Sequence, residues 1–276
     1  MESSTPANSS KAGGIILTLA ILFIPVLAIM QLKGTSIPKL ASEHGAGIDL
    51  MFRYLYTTVG ALFIIGHLVL AYFVWRFSRQ NRISFRLASP KIEGRWSIIP
   101  AVVMAIIAEG GILVLGMPVW GKVYGSAAPS NAITIEVTGE QFAWNVRYPG
   151  KDGVFGRTEP KFITLDNVLG MDRTDAAGKD DILGLNELWA PVNVPIHIRL
   201  RSKDVIHSFF LPNFRFKQDA VPGMTIEFWF VPTLTGTFEI ACTELCGMGH
   251  YQMRGLFHVL SQQEYDKWLS EQGPPQ

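Results

Sequence analysis

Three long apolar segments constrain the fold of this 276-residue chain more than any other feature. They cover residues 14–30, 54–75 and 97–120, and Glu109 is the only charged side chain within them. About 20 helical residues cross a hydrocarbon core of ~30 Å, so the second and third segments are each long enough to span a membrane. Hydrophobic residues make up 48% of the chain, which is high for a soluble protein. The sequence therefore predicts a membrane protein.

A short basic loop between the second and third segments predicts their orientation. The loop and its flanks contain six cations, Arg76, Arg79, Arg82, Arg86, Lys91 and Arg95, and one acidic residue, Glu93. Loops of this kind stay on the cytoplasmic side of a membrane. We therefore predict a transmembrane helical hairpin in the cell (inner) membrane, with the C-terminal domain on the outer, periplasmic face.

The first apolar segment, residues 14–30, has two interpretations. It is longer than the usual core of a signal peptide, it lacks a clear cleavage motif, and only one cation, Lys11, precedes it. It is either a retained additional helix or a cleaved signal. Both interpretations leave the C-terminal domain outside.

After residue 131 the pattern changes to short segments in which apolar and polar residues alternate. Such segments, separated by turn residues, occur at 133–137, 142–148, 196–200, 205–210, 226–230, 236–242 and 255–260. They predict a small β-sandwich or barrel. Residues 149–185 lack a sustained period and are interpreted as a long loop or insertion without a legible role. Ser261 and Glu264 form a capping-box pattern that predicts a short C-terminal helix through Trp268.

These patterns divide the chain into an N-terminal signal or anchor (residues 1–50), a transmembrane hairpin (51–125) and an external β-domain (126–276). Residues 131–276 hold 13 basic and 18 acidic side chains, whereas the rest of the chain holds 11 basic and 5 acidic ones. The acidic domain favours a basic protein partner over nucleic acid, although acidic surfaces also serve solubility alone.

Only two cysteines are present, and both lie in the run ACTELCGMGHYQM. Cys242 and Cys246 could form a disulfide in a metal-free external domain. However, His250 and Met253 follow them, and His207 lies upstream. Thiolate, imidazole and thioether are the ligands that select copper for electron transfer. Since one copper needs only one thiolate, the second cysteine favours a binuclear centre.

Four segments resemble subunit II of the haem-copper cytochrome c oxidases. The copper-binding signature of that family appears as Cys242, Glu244, Cys246, His250 and Met253, and its upstream element as Asp204, Val205, His207, Ser208 and Pro212. The segments KQDAVPG at 217–223 and EGRWSIIPA at 93–101 also match. The similarity runs from about Tyr54 to Trp268.

The resemblance implies a cupredoxin-like Greek-key barrel that carries a binuclear copper centre, CuA. By this resemblance Cys242 and Cys246 bridge both coppers and His207 and His250 each bind one. Met253 and the backbone carbonyl of Glu244 would be weak ligands. The Glu244 carboxylate would bind a magnesium ion shared with subunit I, in keeping with the oxygen preference of that ion.

The resemblance also implies roles in electron and proton transfer. Glu93 would lie near the entrance of a proton pathway into the catalytic subunit; the alternative is a solvated glutamate at a helix start. The family places a Trp directly after a Gln where it accepts electrons, but here Gln141 is followed by Phe142. Phe142 and Trp144 are therefore the candidates for this role, with a core position as the alternative for Trp144. This departure weakens ordinary soluble cytochrome c as the donor, and Met224 replaces a family Arg.

The function implied is the electron-accepting subunit of a respiratory, proton-pumping cytochrome c oxidase. The chain would take electrons from cytochrome c or another membrane-associated donor and pass them to haem in subunit I, where oxygen is reduced to water. A copper-free subunit II of quinol oxidases is an alternative, but it predicts loss of ligands that are intact here. The copper subunit of a nitric oxide reductase is a second alternative, which would differ from an oxidase subunit only in its catalytic partner subunit. For Glu109 and His67, inside predicted spans, we expect contact with another subunit.

Overall fold

The computed structural model describes residues 6–34, 37–78 and 89–272. Three cations of the predicted basic loop, Arg79, Arg82 and Arg86, lie outside the described residues. The chain forms two compact units. A helical unit takes in the chain up to Ile37 together with Asp49–Met117, and a β unit takes in Pro38–Ile48 together with Pro118–Gln276. The predicted boundaries at residues 50 and 125 stay predictions.

All three apolar segments are helical. Helix α1 covers Pro6–Gly34, α2 covers Gly45–Phe77, and the third segment consists of α3 (Pro90–Met104), a π-helical turn (Ala105–Glu109) and α4 (Gly110–Gly125). Each of the three is long and apolar enough to cross a membrane, and almost none of their side chains is covered by protein. Since apolar surface of this extent is unfavourable in water, the helices have the length and composition that the prediction of membrane spans requires.

The β unit is a sandwich of two five-stranded sheets. The strands are β1 (Ile133–Glu140), β2 (Ala143–Tyr148), β3 (Ile182–Leu185), β4 (Glu187–Pro191), β5 (Ile196–Ser202), β6 (His207–Leu211), β7 (Phe216–Ala220), β8 (Ile226–Phe230), β9 (Gly236–Cys242) and β10 (Arg254–Leu260). The order is β3-β2-β1-β5-β8 in one sheet and β4-β10-β9-β6-β7 in the other. The pairs β1/β5 and β4/β10 are parallel, whereas the other pairs are antiparallel.

The core lies between the two sheets and follows the alternation of the strands. In β1 the side chains of Ile135 and Val137 are fully buried, and in β5 those of Ile196, Ile198 and Leu200 are. A cluster of phenylalanine rings from both sheets and from the turn before β7 fills the same space, with Phe214, Phe216, Phe228, Phe230 and Phe257 in contact. The period-two prediction of a β-sandwich is therefore confirmed.

The interpretation of residues 149–185 as a loop is wrong at its end, because Ile182–Leu185 forms β3. This edge strand is short and carries no alternation, so the sequence gives no strand signal. The remainder of the insertion is irregular and is fixed to the sheet by Arg147 of β2. This buried guanidinium pairs with Asp181 and also donates to the backbone carbonyl of Gly156.

The segment Pro38–His44 lies on the sandwich and forms a strap across its end. Ala41 N–H donates to Asn213 O, and Thr233 N–H donates to Ala41 O, both at 2.8 Å. The Ser42 hydroxyl donates to Phe214 O at 2.7 Å. At the other end of the chain, the predicted capping box of Ser261 and Glu264 is confirmed and opens α5 (Gln262–Glu271).

Candidate metal centre

Strand pairing brings the upstream histidine to the cysteine loop. His207 is the first residue of β6 and Cys242 the last residue of β9, and these strands pair antiparallel with Phe209 opposite Cys242. The loop after β9 is closed at its base, because Cys242 N–H donates to Met253 O at 3.2 Å. Cys246, His250 and Met253 all lie in this one loop, so the predicted ligands meet at one end of the sandwich.

The side-chain donor atoms lie close enough together to bind one metal centre, and those of His207, Cys242 and Cys246 are all within 4.8 Å of one another. The two cysteine sulfurs are 3.9 Å apart. The Nδ1 atom of His207 is 4.0 Å from the Cys242 sulfur, and that of His250 is 3.5 Å from the Cys246 sulfur. The Met253 sulfur is 3.8 Å from the Cys246 sulfur. Each sulfur thus has its own imidazole.

The spacing of the two sulfurs fits a metal centre and not a disulfide. A disulfide bond is about 2.05 Å long, so the 3.9 Å between Cys242 and Cys246 leaves two free thiols. Thiolate–metal bonds of about 2.3 Å span such a gap with an ion between the sulfurs. The backbone carbonyl of Glu244 lies 3.3 Å from the Cys242 sulfur and adds a weak oxygen donor. The set of two thiolates, two imidazoles and a thioether fits copper.

The two thiols have opposite acidities. Burial disfavours ionisation of Cys242, but hydrogen bonds from His207 and from the backbone N–H groups of Ser208 and Glu244 outweigh it and lower its pKa to about 6. Burial and the neighbouring Cys242 sulfur raise the pKa of Cys246 to about 11. At neutral pH the metal-free pair therefore holds one thiolate and one thiol, and a metal must displace the remaining proton.

Asp204 fixes the orientation of His207. The Nε2 atom of this fully buried imidazole donates to Asp204 Oδ1 at 2.8 Å. A carboxylate only accepts hydrogen bonds, so Nε2 carries a proton, and Nδ1, which faces Cys242, is the nitrogen left to bind a metal once it has no proton of its own. The other carboxylate oxygen, Oδ2, accepts the Gln141 N–H at 2.7 Å. The sequence suggested Asp204 only as part of a motif, and the contact with Gln141, 63 residues away, left no local signal.

Phe142 and Trp144 lie at different depths. The Phe142 side chain is 36% exposed, whereas Trp144 is fully buried. The Phe142 ring packs against Gly247 and Gly249 of the cysteine loop, where a Cβ on Gly249 would overlap it. Trp144 contacts His207 edge-on, with ring centroids 6.0 Å apart. Phe142 therefore covers the loop at the surface, and Trp144 supports a predicted ligand from the core.

The remaining predicted site residues lie apart from the sulfurs. The Glu244 side chain points to the surface and is exposed. Glu93 occupies the first turn of α3 and is also exposed. Among the other histidines, His44 is buried, and neither of its ring nitrogens has a hydrogen-bond partner among the described residues.

Comparison with known proteins agrees with this arrangement. The family profile of the cytochrome c oxidase subunit II periplasmic domain matches residues 133–259. The alternative cytochrome c oxidase subunit 2 of Bradyrhizobium diazoefficiens is 36% identical over 228 residues, which cover 82% of this chain and 80% of that protein. Cytochrome c oxidase subunit 2 of Cereibacter sphaeroides is 29% identical over 262 residues, or 90% and 83% of the two chains.

A crystal structure of the periplasmic domain of cytochrome oxidase subunit II from Bradyrhizobium japonicum is also similar. It shares 33% sequence identity and a TM-score of 0.38, covering 52% of this chain and 95% of that one. Residues 133–259, which the family profile matches, contain both strands and the loop that carry the sulfur and imidazole donors. The chain therefore belongs to the subunit II family of the cytochrome c oxidases, the haem-copper terminal oxidases.

Proposed function

We propose that this chain accepts electrons at the outer face of the membrane and passes them through a binuclear copper centre to haem in the catalytic subunit. The observation that carries the proposal is the pairing of two free thiols 3.9 Å apart with one imidazole on each. A copper pair bound there would supply a one-electron carrier. Its ligands would be Cys242, Cys246, His207, His250 and Met253, with the carbonyl of Glu244.

The residues of this chain hold the site in shape for electron transfer. Asp204 sets the proton of His207 on Nε2, and Gln141 Nε2 donates to the backbone carbonyl of Cys246 at 2.5 Å. Gln141 thus ties the loop that carries Phe142 to both predicted ligand segments. When ligands are held rigidly, the geometry of the site changes little as it gains or loses an electron, which favours rapid electron transfer. The exposed Phe142 ring would be the contact for the donor.

The position of the strap supports a periplasmic location for the sandwich. Because the strap lies on the sandwich, the α1–α2 connection and the β-domain belong on one side of the membrane. The loop after α2 then lies on the other side, where its cations are favoured in the cytoplasm. The exposed Glu244 carboxylate would bind magnesium with subunit I, and Glu93, on the cytoplasmic side, would lie near a proton pathway.

Electron paramagnetic resonance of the purified oxidase complex tests the proposal. We expect a signal delocalised over two coppers, and we expect Cys246→Ser to abolish it because one bridging thiolate is lost. The Leu245→Ala variant is a matched control, since Leu245 lies in the same loop with an exposed side chain. A complex without this signal, or a signal that survives in Cys246→Ser, would contradict the proposal.

A further inference from the structure

Glu109 is an ionisable residue in the middle of an apolar span. Twelve uncharged residues precede it and eleven follow it within residues 97–120. At 1.5 Å per residue, about 16 Å or more of apolar helix lies on either side. A carboxyl group on a two-carbon stem cannot reach either membrane surface from there. Such a group is costly in hydrocarbon, so it needs a polar partner.

The helical unit does not supply that partner. The Glu109 side chain is exposed, and it makes no hydrogen bond or ion pair with any residue that the structure describes. The irregular backbone beside it is satisfied by α2, since Tyr54 Oη donates to the carbonyl of Ile107, within the π-helical turn, at 2.5 Å. A π-helical turn widens the helix locally, and a backbone carbonyl that it frees at membrane depth needs a partner such as this hydroxyl group. The Glu109 carboxyl group, in contrast, has no polar partner among the residues that the structure describes.

Glu109 lies in a continuous stripe of exposed side chains. Leu113 and Met117 follow it at spacings of four residues in α4, Val102 and Ile106 precede it across the π-helical turn, and each of the four is at least half exposed. A neighbouring side of the same segment meets α2, where Gly111 lies against the Tyr54 ring and Gly116 against the Met51 sulfur. A stripe with this spacing is the pattern by which one helix packs along another. Its single polar member sits near the centre, where an interhelical hydrogen bond is best shielded from water.

We propose that this stripe, which we call the Glu109 stripe, is the contact surface for a transmembrane helix of another oxidase subunit. That helix presents a hydrogen-bond donor, charged or neutral, to the Glu109 carboxyl group at mid-membrane. Lipid tails can cover Val102, Ile106 and Leu113 but cannot satisfy Glu109, so the carboxyl group selects protein over lipid. The inference rests on membership of an oxidase complex and is independent of the copper centre.

Subunit dissociation in detergent tests the role of Glu109. Leucine inserts into a membrane more readily than glutamate, so Glu109→Leu leaves insertion of the span intact. We expect this variant to release the chain from the purified oxidase complex about three- to thirty-fold faster, the range that one interhelical polar contact provides. Glu109→Gln, which keeps the shape and can still hydrogen bond, should dissociate more slowly than Glu109→Leu. The copper signal of the intact complex should be the same in all forms.

Photo-crosslinking tests the stripe itself. A benzophenone side chain replaces Ile106 or Leu113 in the stripe, or Val114 as a control, which is 72% exposed on a different side of α4. We expect the two stripe positions to crosslink to another subunit of the complex and Val114 to give much less product. The proposal is overturned if Glu109→Leu dissociates like the natural chain, or if the stripe positions crosslink only to lipid or to a second copy of this chain.

Discussion

Asp204 and His207 form a carboxylate–imidazole pair in which the carboxylate takes the proton-bearing nitrogen and leaves the other nitrogen facing the sulfurs. The contact from Nε2 to Oδ1 is 2.8 Å long. Hydrogen bonds from His207, Gln141 and Val205 overcome the effect of burial and lower the pKa of Asp204, so it stays ionised at neutral pH. A permanent negative charge is thus fixed behind the imidazole.

This pairing predicts the effect of removing the carboxylate. We expect Asp204→Ala to weaken copper binding about 10- to 100-fold, because the imidazole loses the group that orients it and raises its basicity. Asp204→Asn should weaken copper binding less than Asp204→Ala, since an amide oxygen still accepts the hydrogen bond. Competition with a copper chelator measures the affinity. Asp219→Asn, on the neighbouring strand β7, is the control, and equal affinity in Asp204→Ala and in that control would refute the orienting role.

Copper loading should depend on pH through Cys246. Its pKa is raised to about 11 and that of Cys242 is lowered to about 6, so near neutral pH the Cys246 thiol carries a proton that the metal must displace. Affinity should therefore rise about tenfold per pH unit near neutrality. Chelator competition between about pH 6.5 and 8.5 measures the slope. A Cys246→Ser variant should flatten it, and a slope that is flat in the natural chain would show that both thiols are already ionised.

The contact between Phe142 and Gly249 predicts a defect in electron uptake without loss of copper. A Cβ at position 249 would overlap the Phe142 ring, so Gly249→Ala should displace the ring from the loop. We expect slower reduction of the copper centre by the donor, with the copper content unchanged. Gly125→Ala is the matched control, because a Cβ there meets nothing within 4 Å. Stopped-flow spectroscopy compares the two, and identical rates would remove Phe142 from the proposed route.

His44 predicts how the β unit loses stability in acid. Burial, with a smaller effect of Lys122, lowers the pKa of His44 from 6.5 to about 4, and its ring packs edge-on against Phe216 and Phe230. Between these pH values the unfolded chain binds a proton that the folded chain does not. Stability should therefore fall as the pH drops from 6.5 toward 4, by up to about 3 kcal/mol.

The His44→Phe variant should lose this part of the pH dependence, whereas His197→Gln should keep it. His197 is the control because its side chain is partly exposed and lies 3.7 Å from Glu227. Denaturant unfolding of the full chain in detergent, followed by tryptophan fluorescence at each pH, measures the free energy of unfolding. Parallel pH curves for His44→Phe and the natural chain would contradict the assignment.

The predicted metal ligands were accessible from the sequence because four of them lie in one loop of eleven residues between β9 and β10. The spacing of these ligands within the loop indicates a metal site independently of the rest of the fold. The strands with clear alternation were predictable for the same local reason. Strands β3, β4 and β7 were not, since each has four or five residues and takes its place from its neighbours.

The surroundings of the site depended on tertiary structure. Trp144 alternates with Val146 and Tyr148 on one face of β2, a pattern that fits the buried alternative. Gln141 reaches Cys246 across 105 residues, and no local pattern signals such a contact. The π-helical turn is likewise invisible in composition, because its residues Ala-Ile-Ile-Ala-Glu fit a regular helix equally well.

The strap also places a constraint on the order of biogenesis. Ser42 bonds to Phe214, 172 residues later in the chain. At about 5 to 20 residues per second of synthesis, the strap waits roughly 10 to 35 s for the strands that it will cover. During that time α2 and the rest of the sandwich must be synthesised, and in the proposed topology the sandwich must also cross the membrane. Closure of the strap is therefore among the last steps of maturation, and it joins the segment between α1 and α2 to the last large part of the chain.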